Sequence, residues 1–295
     1  MFSLVSPKMM LKLTGTLFFC SLTCIWFYFS FLGERGASLK GLMDGKKIVV
    51  MGVANRQSIA WAIAKSLYFA GAELAFTYQN DAVEQTVYQM VDHEMPNSFC
   101  IRCDVTKDQD ITNAFSDINK RWSQIDGVIH SIAYAKTENL PFSYLDTTRA
   151  QFALTHDIGT YSLVATAKEV KQYMLDGGTI VTLTHMGSER VLPHYHVMGV
   201  AKAGLESSIR YLANELGPAN IRVNAISAGP IRTSVTEGVR DFDYMLSVVE
   251  ERAPLRRGID AEEVGDTALF LCSHMGRGIT GEVVHVDGGY NIIGM

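Results

Sequence analysis

The sequence predicts an α/β fold in which helices cover both faces of a doubly wound, seven-stranded parallel sheet. Short apolar runs typical of buried strands alternate with longer segments whose apolar residues recur at helical spacing. A glycine follows the first of these runs directly, and a predicted helix begins a few residues later. Hydrophobic residues make up 47% of the chain and charged residues 19%, which is the composition of a protein with a globular core.

The predicted strands are apolar runs that end at turn residues. Strands of a parallel sheet are buried on both faces, so their apolar residues run continuously instead of alternating. These runs lie at residues 47–51, 74–78, 99–102, 128–131, 179–184, 221–226 and 283–286. The apolar spacing between them predicts helices at residues 58–70, 83–91, 111–122, about 148–173 and 195–216. Because there is no internal repeat and no linker, residues 43–295 form a single predicted domain.

Charge and cysteine content argue against two classes of function. The formal net charge is −5 and the chain has no long basic run, whereas a nucleic-acid-binding protein needs a basic face. Cys100 and Cys103 have the spacing of a metal-binding pair, but they lie in a predicted strand, where positions three apart face opposite sides. No second pair of Cys or His follows at zinc-site spacing. The sequence therefore predicts no metal site and reduced cysteines.

The loop after the first strand suits a dinucleotide. Sheets of this Rossmann type bind ligands beyond the carboxyl ends of their strands, at the point where strand order reverses. Gly52 permits a tight turn there, and Ser58 can cap the following helix, whose amides and dipole suit a pyrophosphate. The loop departs from the usual glycine pattern, because Ala54 and Ser58 stand where later glycines are expected.

The end of the second strand predicts NADH as the cofactor rather than NADPH. Gln79 lies where such folds contact the adenosine ribose, and residues 77–95 contain no Arg or Lys that could bind a 2′-phosphate. The acidic residues in this stretch are Asp81, Glu84, Asp92 and Glu94. Arg56, in the first loop, is the basic residue that could still contact such a phosphate. Asp104, after the third strand, could accept a hydrogen bond from the adenine amino group, or simply begin a helix.

A tyrosine and a lysine on one predicted helix are candidates for catalysis. Tyr195 and Lys202 are seven residues apart, which is nearly two turns and about 10 Å along one helix face. The lysine side chain leans back towards the tyrosine and narrows this gap. An ammonium group beside a nicotinamide ribose would favour the phenolate character of a nearby tyrosine. Taken alone, the pair could equally be a core tyrosine and a surface lysine.

The surrounding motifs resemble the bacterial enoyl-acyl-carrier-protein reductase family. The runs that carry the resemblance are Tyr195-His-Val-Met-Gly-Val-Ala-Lys202, Arg222-Val-Asn-Ala-Ile-Ser-Ala-Gly-Pro-Ile-Arg-Thr233, Gly52 to Ala60, Leu74 to Asn80, His130-Ser-Ile132 and Gly281 to Gly289. They occur in the family's order and span about residues 45–293. Tyr195 and Lys202 are seven positions apart, with six residues between them. In ordinary short-chain dehydrogenases the tyrosine and lysine are four positions apart.

The resemblance implies an NADH-dependent reduction of trans-2-enoyl-acyl-carrier-protein, the last step of the fatty acid elongation cycle. Hydride would reach the β-carbon, Tyr195 would hydrogen-bond the thioester oxygen, and Lys202 would hold the nicotinamide ribose. Ala135 would contact the acyl chain. The residues that would line NADH are Gly52, Ser58, Ile59, Gln79, Asp104, Val105, Ile132, Lys202, Ile231, Arg232, Thr233, Ser234 and Val235.

The chain departs from the family pattern near the tyrosine. His185 stands where the family generally has a second active-site tyrosine. As a catalytic residue it could donate a hydrogen bond, and its protonation would then make activity sensitive to pH. Alternatively, the position is peripheral and tolerates substitution. His194 and His196 replace the usual asparagines, and Ala133 replaces a glycine.

The expected partner is acyl carrier protein, which is acidic. Arg232, Arg240, Arg256 and Arg257 lie near the predicted substrate loop and could form a docking patch, or could be unconnected solvated arginines. The polar stretch 227–237 is expected to move over the acyl chain as a lid. The family is usually tetrameric, so a homotetramer is expected.

Two other functions stay open at this point. A short-chain dehydrogenase acting on a carbonyl would need the shorter spacer and a serine before the tyrosine, and here the spacer and Thr182 count against it. A non-catalytic NAD-binding protein is supported only by His185 and by the hydrophobic leader.

Residues 1–42 form a leader outside the predicted domain. Residues 13–32 contain no charge and are long enough to span a bilayer as a helix. The leader is a membrane anchor, a signal peptide without a convincing cleavage site, or an upstream extension of a chain that starts at Met43. Because NADH is an intracellular cofactor, we expect a cytoplasmic enzyme, with membrane association only if the leader is a real anchor.

Overall fold

The computed structural model describes residues 41–133, 143–233, 236 and 241–294. Its strands are β1 (Lys47–Met51), β2 (Glu73–Tyr78), β3 (Phe99–Arg102), β4 (Gly127–His130), β5 (Gly178–Thr184), β6 (Ile221–Ala228) and β7 (Val283–Val286). They form one sheet in the order β3-β2-β1-β4-β5-β6-β7, and every neighbouring pair is parallel. The predicted fold class is confirmed. Strand order reverses between β1 and β4, so a crevice forms where their carboxyl ends separate.

Helices cover both faces of this sheet. They are α1 (Ile59–Phe69), α2 (Asp81–Glu94), α3 (Asp108–Trp122), α4 (Arg149–His156), α5 (Ser162–Val170), α6 (His196–Leu216), α7 (Phe242–Arg252) and α8 (Ala261–Cys272). The helix predicted over residues 148–173 is interrupted by a π-helical turn, Asp157–Tyr161, between α4 and α5. Such a turn accommodates one extra residue in the helix, and apolar periodicity is too coarse to reveal it.

The two faces of the sheet form two separate cores. On one face Trp61, Ile63 and Phe76 are packed with residues of α2 and α8. On the other face Phe115 and Leu205 are packed with residues of α3, α5 and α6. Because the strands are buried on both faces, the carboxyl edge of the sheet is where a ligand can reach the strand ends.

The hydrophobic segment at residues 13–32 lies outside the described residues. Among those described, the structure contains no helix long and apolar enough to cross a membrane.

Candidate active site

The loops after β1 and β4 meet at Gly52. Met51 is aligned with His130, so the residues that follow each strand lie side by side. Gly52 has a φ of +89°, and a Cβ atom placed on it would lie 1.9 Å from the carbonyl oxygen of Ser131. Only glycine can bring the backbone this close while adopting a left-handed conformation. The glycine predicted to permit the tight turn therefore has both properties that this turn requires.

The N-terminus of α1 opens onto the same crevice. Ser58 is its N-cap: its side-chain oxygen accepts from the backbone N–H of Trp61 at 3.2 Å, as the sequence predicts. The first turn of α1, which the structure describes in full, contains no acidic residue. The free amides of that turn and the positive end of the helix dipole therefore remain available to an anion. The turn at Gly52 and this helix terminus together fit the pyrophosphate of a dinucleotide.

The predicted adenosine contacts follow β2 and β3. Gln79 is exposed directly after β2. Asp104 lies in a turn ahead of α3, where one of its oxygens accepts from the amide and the hydroxyl of Thr106 at 3.2 and 2.8 Å. Burial raises the pKa of Asp104, but the bonds from Thr106 and the ammonium of Lys107, 3.3 Å away, outweigh it, so the net pKa is lowered. Asp104 is thus a charged acceptor at the sheet edge and not a helical residue.

Two arginines close to this edge are paired with carboxylates of α2. Arg56 forms an ion pair with Glu94, and Arg102 lies 3.0 Å from Asp81. The sequence alone does not place Arg102 near the predicted ribose site, because this residue belongs to β3. Only the parallel register, which aligns it with Tyr78, brings it beside the end of β2.

Loops after β4 and β6 complete the edge. Ile132 is partly buried beyond β4, and Ile231 and Thr233 are buried beyond β6, where the amide of Thr233 donates to the Thr236 hydroxyl at 2.7 Å. Arg232 between them is exposed. Four residues predicted for cofactor, substrate or carrier protein, Ala135, Ser234, Val235 and Arg240, lie outside the described residues.

Tyr195 lies immediately before α6, and its ring fits a space left by two glycines. A Cβ atom on Gly187 would lie 2.3 Å from the ring, and one on Gly199 would lie 2.4 Å from the Gly187 carbonyl oxygen. The ring of His185 packs against it, with 5.1 Å between centroids. Burial raises the pKa of Tyr195, and the negative charge of Glu206 adds to this rise. The phenol therefore stays protonated at neutral pH.

The backbone around Tyr195 explains two of the unusual histidines. His194 and His196, on either side of it, have φ values of +62° and +40°. Asparagine and histidine are both enriched among residues that adopt positive φ, so either can occupy these positions. His194 also reaches towards α7, with its Nε2 atom 3.6 Å from Asp241.

Lys202 is buried, on the side of α6 that packs against the rest of the protein. Its ammonium group donates to the Leu183 carbonyl oxygen at the end of β5, at 2.8 Å. Burial lowers the pKa of Lys202 to about 8, and the carboxylate of Glu206 opposes the fall. At neutral pH the side chain is therefore mostly an ammonium ion, held at the end of β5.

His185 is a neutral hydrogen-bond donor. Burial lowers its pKa to about 4, the ammonium of Lys202 adds to this fall, and Asp287 opposes it. Its Nδ1 atom accepts from the backbone N–H of Gly187 at 3.2 Å, and this assigns the ring proton to Nε2. Because burial moves the protonation of His185 below the neutral range, any pH sensitivity from this residue is expected only at acidic pH. The ring contact with Tyr195 also argues against a peripheral position.

An apolar cavity of about 230 Å³ opens beside His185. Its walls come from the loop before α6, the segment after β6, helix α7 and the chain after β7. The lining residues include His185, Leu192, Pro230, Met245, Val249 and Tyr290. A chain of methylene groups would bury its surface here while its polar end faces His185. A larger cavity is lined by residues of α1, of α7 and of the first turn of α8; it borders Ile231 and does not touch His185.

His130, at the end of β4, is fully buried and contacts two hydroxyl groups close to the site. Its ring nitrogens lie 3.0 Å from the Thr182 hydroxyl and 2.9 Å from the Ser162 hydroxyl, and burial lowers its pKa to about 3. Ser162 follows the π-helical turn directly, so this irregular turn positions one of the partners. The ring is therefore a neutral structural link between β4, β5 and α5.

Comparisons with known proteins agree with this geometry. Residues 52–291 match the family model described as enoyl-(acyl carrier protein) reductase. The enoyl-[acyl-carrier-protein] reductase [NADH] of Bacillus cereus is 53% identical over 254 residues, 86% of this chain and 99% of that protein. The Escherichia coli enzyme of the same name is 46% identical over 256 residues, 86% of this chain and 97% of that protein.

Solved structures show the same fold. The Bacillus cereus reductase, crystallised with NADP⁺ and indole naphthyridinone, has a TM-score of 0.84 at 52% identity and covers 86% of this chain and 99% of its own. The Anaplasma phagocytophilum reductase in complex with NAD has a TM-score of 0.82 at 42% identity, with coverage of 87% and 95%.

Proposed function

The chain belongs to the enoyl-[acyl-carrier-protein] reductase family, and from this premise we propose that it reduces trans-2-enoyl-acyl-carrier-protein to the saturated acyl form with NADH. This would complete each round of fatty acid elongation. One observation carries the proposal: the protonated phenol of Tyr195 lies against the neutral ring of His185, which lines an apolar cavity, and the buried ammonium of Lys202 is held at the end of β5, two residues before His185.

The proposed roles follow from the charge state of each group. NADH, when bound, supplies the hydride that reduces the β-carbon. Tyr195 donates a hydrogen bond to the thioester oxygen, and the Nε2–H of His185 offers a second donor from the adjacent ring. Hydride addition leaves an enolate with negative charge on that oxygen, so donors held in place beforehand stabilise the transition state, and a proton taken up at the α-carbon then completes the reduction. Lys202, as an ammonium, holds ribose hydroxyls.

A substrate comparison tests this function against its alternatives. The purified chain should oxidise NADH in the presence of crotonyl thioesters and leave acetoacetyl thioesters and simple ketones unreduced. Turnover of the ketones alone would favour a carbonyl-reducing dehydrogenase. Binding of NADH without turnover of either substrate would favour a non-catalytic NAD-binding protein. The six-residue spacer before Lys202 supports the first outcome.

Selection of NADH over NADPH should depend on the carboxylates of α2. Asp81 pairs with Arg102 beside the end of β2, where a 2′-phosphate would lie, so this guanidinium is engaged by a carboxylate in place of the phosphate. Asp81→Asn should raise kcat/KM for NADPH about fivefold, since an exposed charge contact is worth up to about 1 kcal/mol, and leave NADH within twofold. Steady-state kinetics with both cofactors measure this. Asp117→Asn, in the exposed pair with Lys120, is the matched control and should change neither value.

The neutral state of His185 predicts that the pH profile of activity has no acidic limb from this residue. Because burial lowers its pKa to about 4, kcat should show no acidic limb near pH 6.5. His185→Tyr should keep kcat within about threefold, whereas His185→Phe should lower it up to about tenfold, the worth of one neutral hydrogen bond. Measuring kcat from pH 5 to 8 for the three proteins checks this. A limb near pH 6.5 that His185→Phe abolishes would contradict the neutral assignment.

Acyl carrier protein is the proposed carrier of the substrate, and the contacts of the arginines narrow its docking site. Arg257 donates to both carboxylate oxygens of Glu263, at 2.8 and 2.7 Å, which favours a structural role for it. Arg232 pairs with Asp243 in an exposed position, where an ion pair contributes little free energy. We infer that Arg232 can exchange Asp243 for a carboxylate of the carrier protein.

The proposed assembly is a homotetramer. Helices α4 and α6 carry exposed apolar side chains, including Phe152, Leu154 and Val200. Large exposed apolar side chains on long helices support packing across a two-fold axis. We further propose a cytoplasmic reaction, because NADH is intracellular, and a reductase domain over residues 43–295 with residues 1–42 outside it.

A further inference from the structure

The proposed mechanism does not use Glu206, which has a buried carboxylate on the same helix as Lys202. Glu206 follows it by four residues on α6, so the two side chains share one helix face with their Cβ atoms about 5–6 Å apart. Both residues are buried, with 6% and 7% of their surfaces exposed. We propose that Glu206 is a positioning residue that keeps Lys202 in its charged form beside the cofactor ribose. The proposal rests on the function proposed above for Lys202.

Two hydroxyl groups fix the carboxylate of Glu206. The Thr184 hydroxyl, at the end of β5, donates to its Oε1 atom at 2.6 Å. The Ser188 hydroxyl, in the turn that follows, lies 2.6 Å from the same oxygen and 2.9 Å from the carbonyl oxygen of His185. The negative charge is therefore held at a defined place by the elements that also carry Leu183 and His185.

The negative charge of Glu206 affects the pKa values of both Lys202 and Tyr195. It opposes the effect of burial on the pKa of Lys202, and it adds to the rise in the pKa of Tyr195. Without it, Lys202 would lose its proton at lower pH, because burial would act unopposed. Both effects maintain a charged lysine and a protonated tyrosine, the states that the proposed reaction needs.

The two histidines and the tyrosine around Lys202 keep one charge state between pH 6 and 9. His130 from β4 has a pKa of about 3, and His185 after β5 has a pKa of about 4. Burial raises the pKa of Tyr195 well above its usual value. Asp287, after β7, acts on His185. A change of pH response on removal of the Glu206 charge can therefore be assigned to Lys202.

Glu206→Gln removes the charge while leaving an oxygen that can accept from Thr184 and Ser188. The direct readout is the titration of Lys202 in the cofactor-free protein, followed by the ¹³Cε signal of labelled lysine and assigned from Lys202→Met. The midpoint should fall by about one pH unit in Glu206→Gln. It should stay within about half a unit of the original in Glu206→Asp, which keeps the charge. Glu215→Gln, an exposed glutamate of the same helix, is the matched control and should not move it.

Kinetics provide the second readout. Glu206→Gln should lower kcat/KM about fivefold near pH 8 and less than twofold near pH 6, as a midpoint shift of one unit requires. An unchanged Lys202 midpoint would overturn the proposal, as would an equal loss of rate at both pH values. If the glutamine variant does not fold, Ser188→Ala replaces it: loss of one donor should lower the midpoint by a smaller amount, and no change would refute the idea. The titration needs no turnover, so a chain that fails to reduce enoyl thioesters would sink the proposed function alone.

Discussion

Replacing Tyr195 with phenylalanine should lower kcat for crotonyl thioester reduction about 100-fold, the usual effect of removing one preorganised donor to a developing oxyanion, about 3 kcal/mol. The substitution deletes one hydroxyl and leaves a ring that still fits the space at Gly187 and still packs against His185. The loss should therefore fall on kcat rather than on folding. Stopped assays with crotonyl thioesters, at saturating NADH, measure it.

Two controls separate chemistry from structure. Tyr211→Phe changes an exposed tyrosine of α6, 77% accessible, and should leave kcat within twofold. The affinity of Tyr195→Phe for NADH, followed by nucleotide fluorescence, should stay close to that of the parent chain, because Lys202 and not the phenol is expected to hold the ribose. Near-normal turnover of Tyr195→Phe would remove Tyr195 from the proposed mechanism.

The strands and most helices were predictable because they depend on local patterns. Continuous apolar runs predicted all seven strands. Gly52 was predictable as a turn residue, because only glycine suits a position with a positive φ and a close backbone contact. The π-helical turn at Asp157–Tyr161 was not predictable, since one extra residue in a helical turn leaves apolar spacing nearly unchanged. Tertiary packing, which positions Ser162 against His130, determines it.

In the site, residue types were predictable and their charge states were not. The spacing of Tyr195 and Lys202 on one helix follows from the sequence, but the loss of solvent that lowers the pKa of His185 depends on chain segments distant in sequence. Glu206 went unnoticed because a glutamate four residues after a lysine is typical of any exposed helix face. The signal that could have found it is its place among apolar residues on the buried side of α6, between Leu205 and Ile209.

Gly187→Ala should be nearly as damaging as loss of the Tyr195 hydroxyl. A Cβ atom at this position would lie 2.3 and 2.6 Å from two carbons of the Tyr195 ring, distances that no packed side chain tolerates. Either the ring moves or the turn Met186–Ser188 moves, and that turn also supplies the amide that fixes the tautomer of His185. Because a misplacement of about 1 Å can cost about 100-fold in rate, kcat/KM should fall by about that factor.

A double substitution tests whether Gly187 acts through the tyrosine. If the glycine matters because it positions the phenol, adding Gly187→Ala to Tyr195→Phe should cost only a few-fold more, since groups that act as one unit are not additive. Gly217→Ala, with a helical backbone and nothing within 4 Å of the added atom, is the matched control and should leave kcat unchanged. Losses that multiply to about 10,000-fold would instead assign Gly187 an effect independent of Tyr195, and the space for the ring would no longer explain why glycine is needed there.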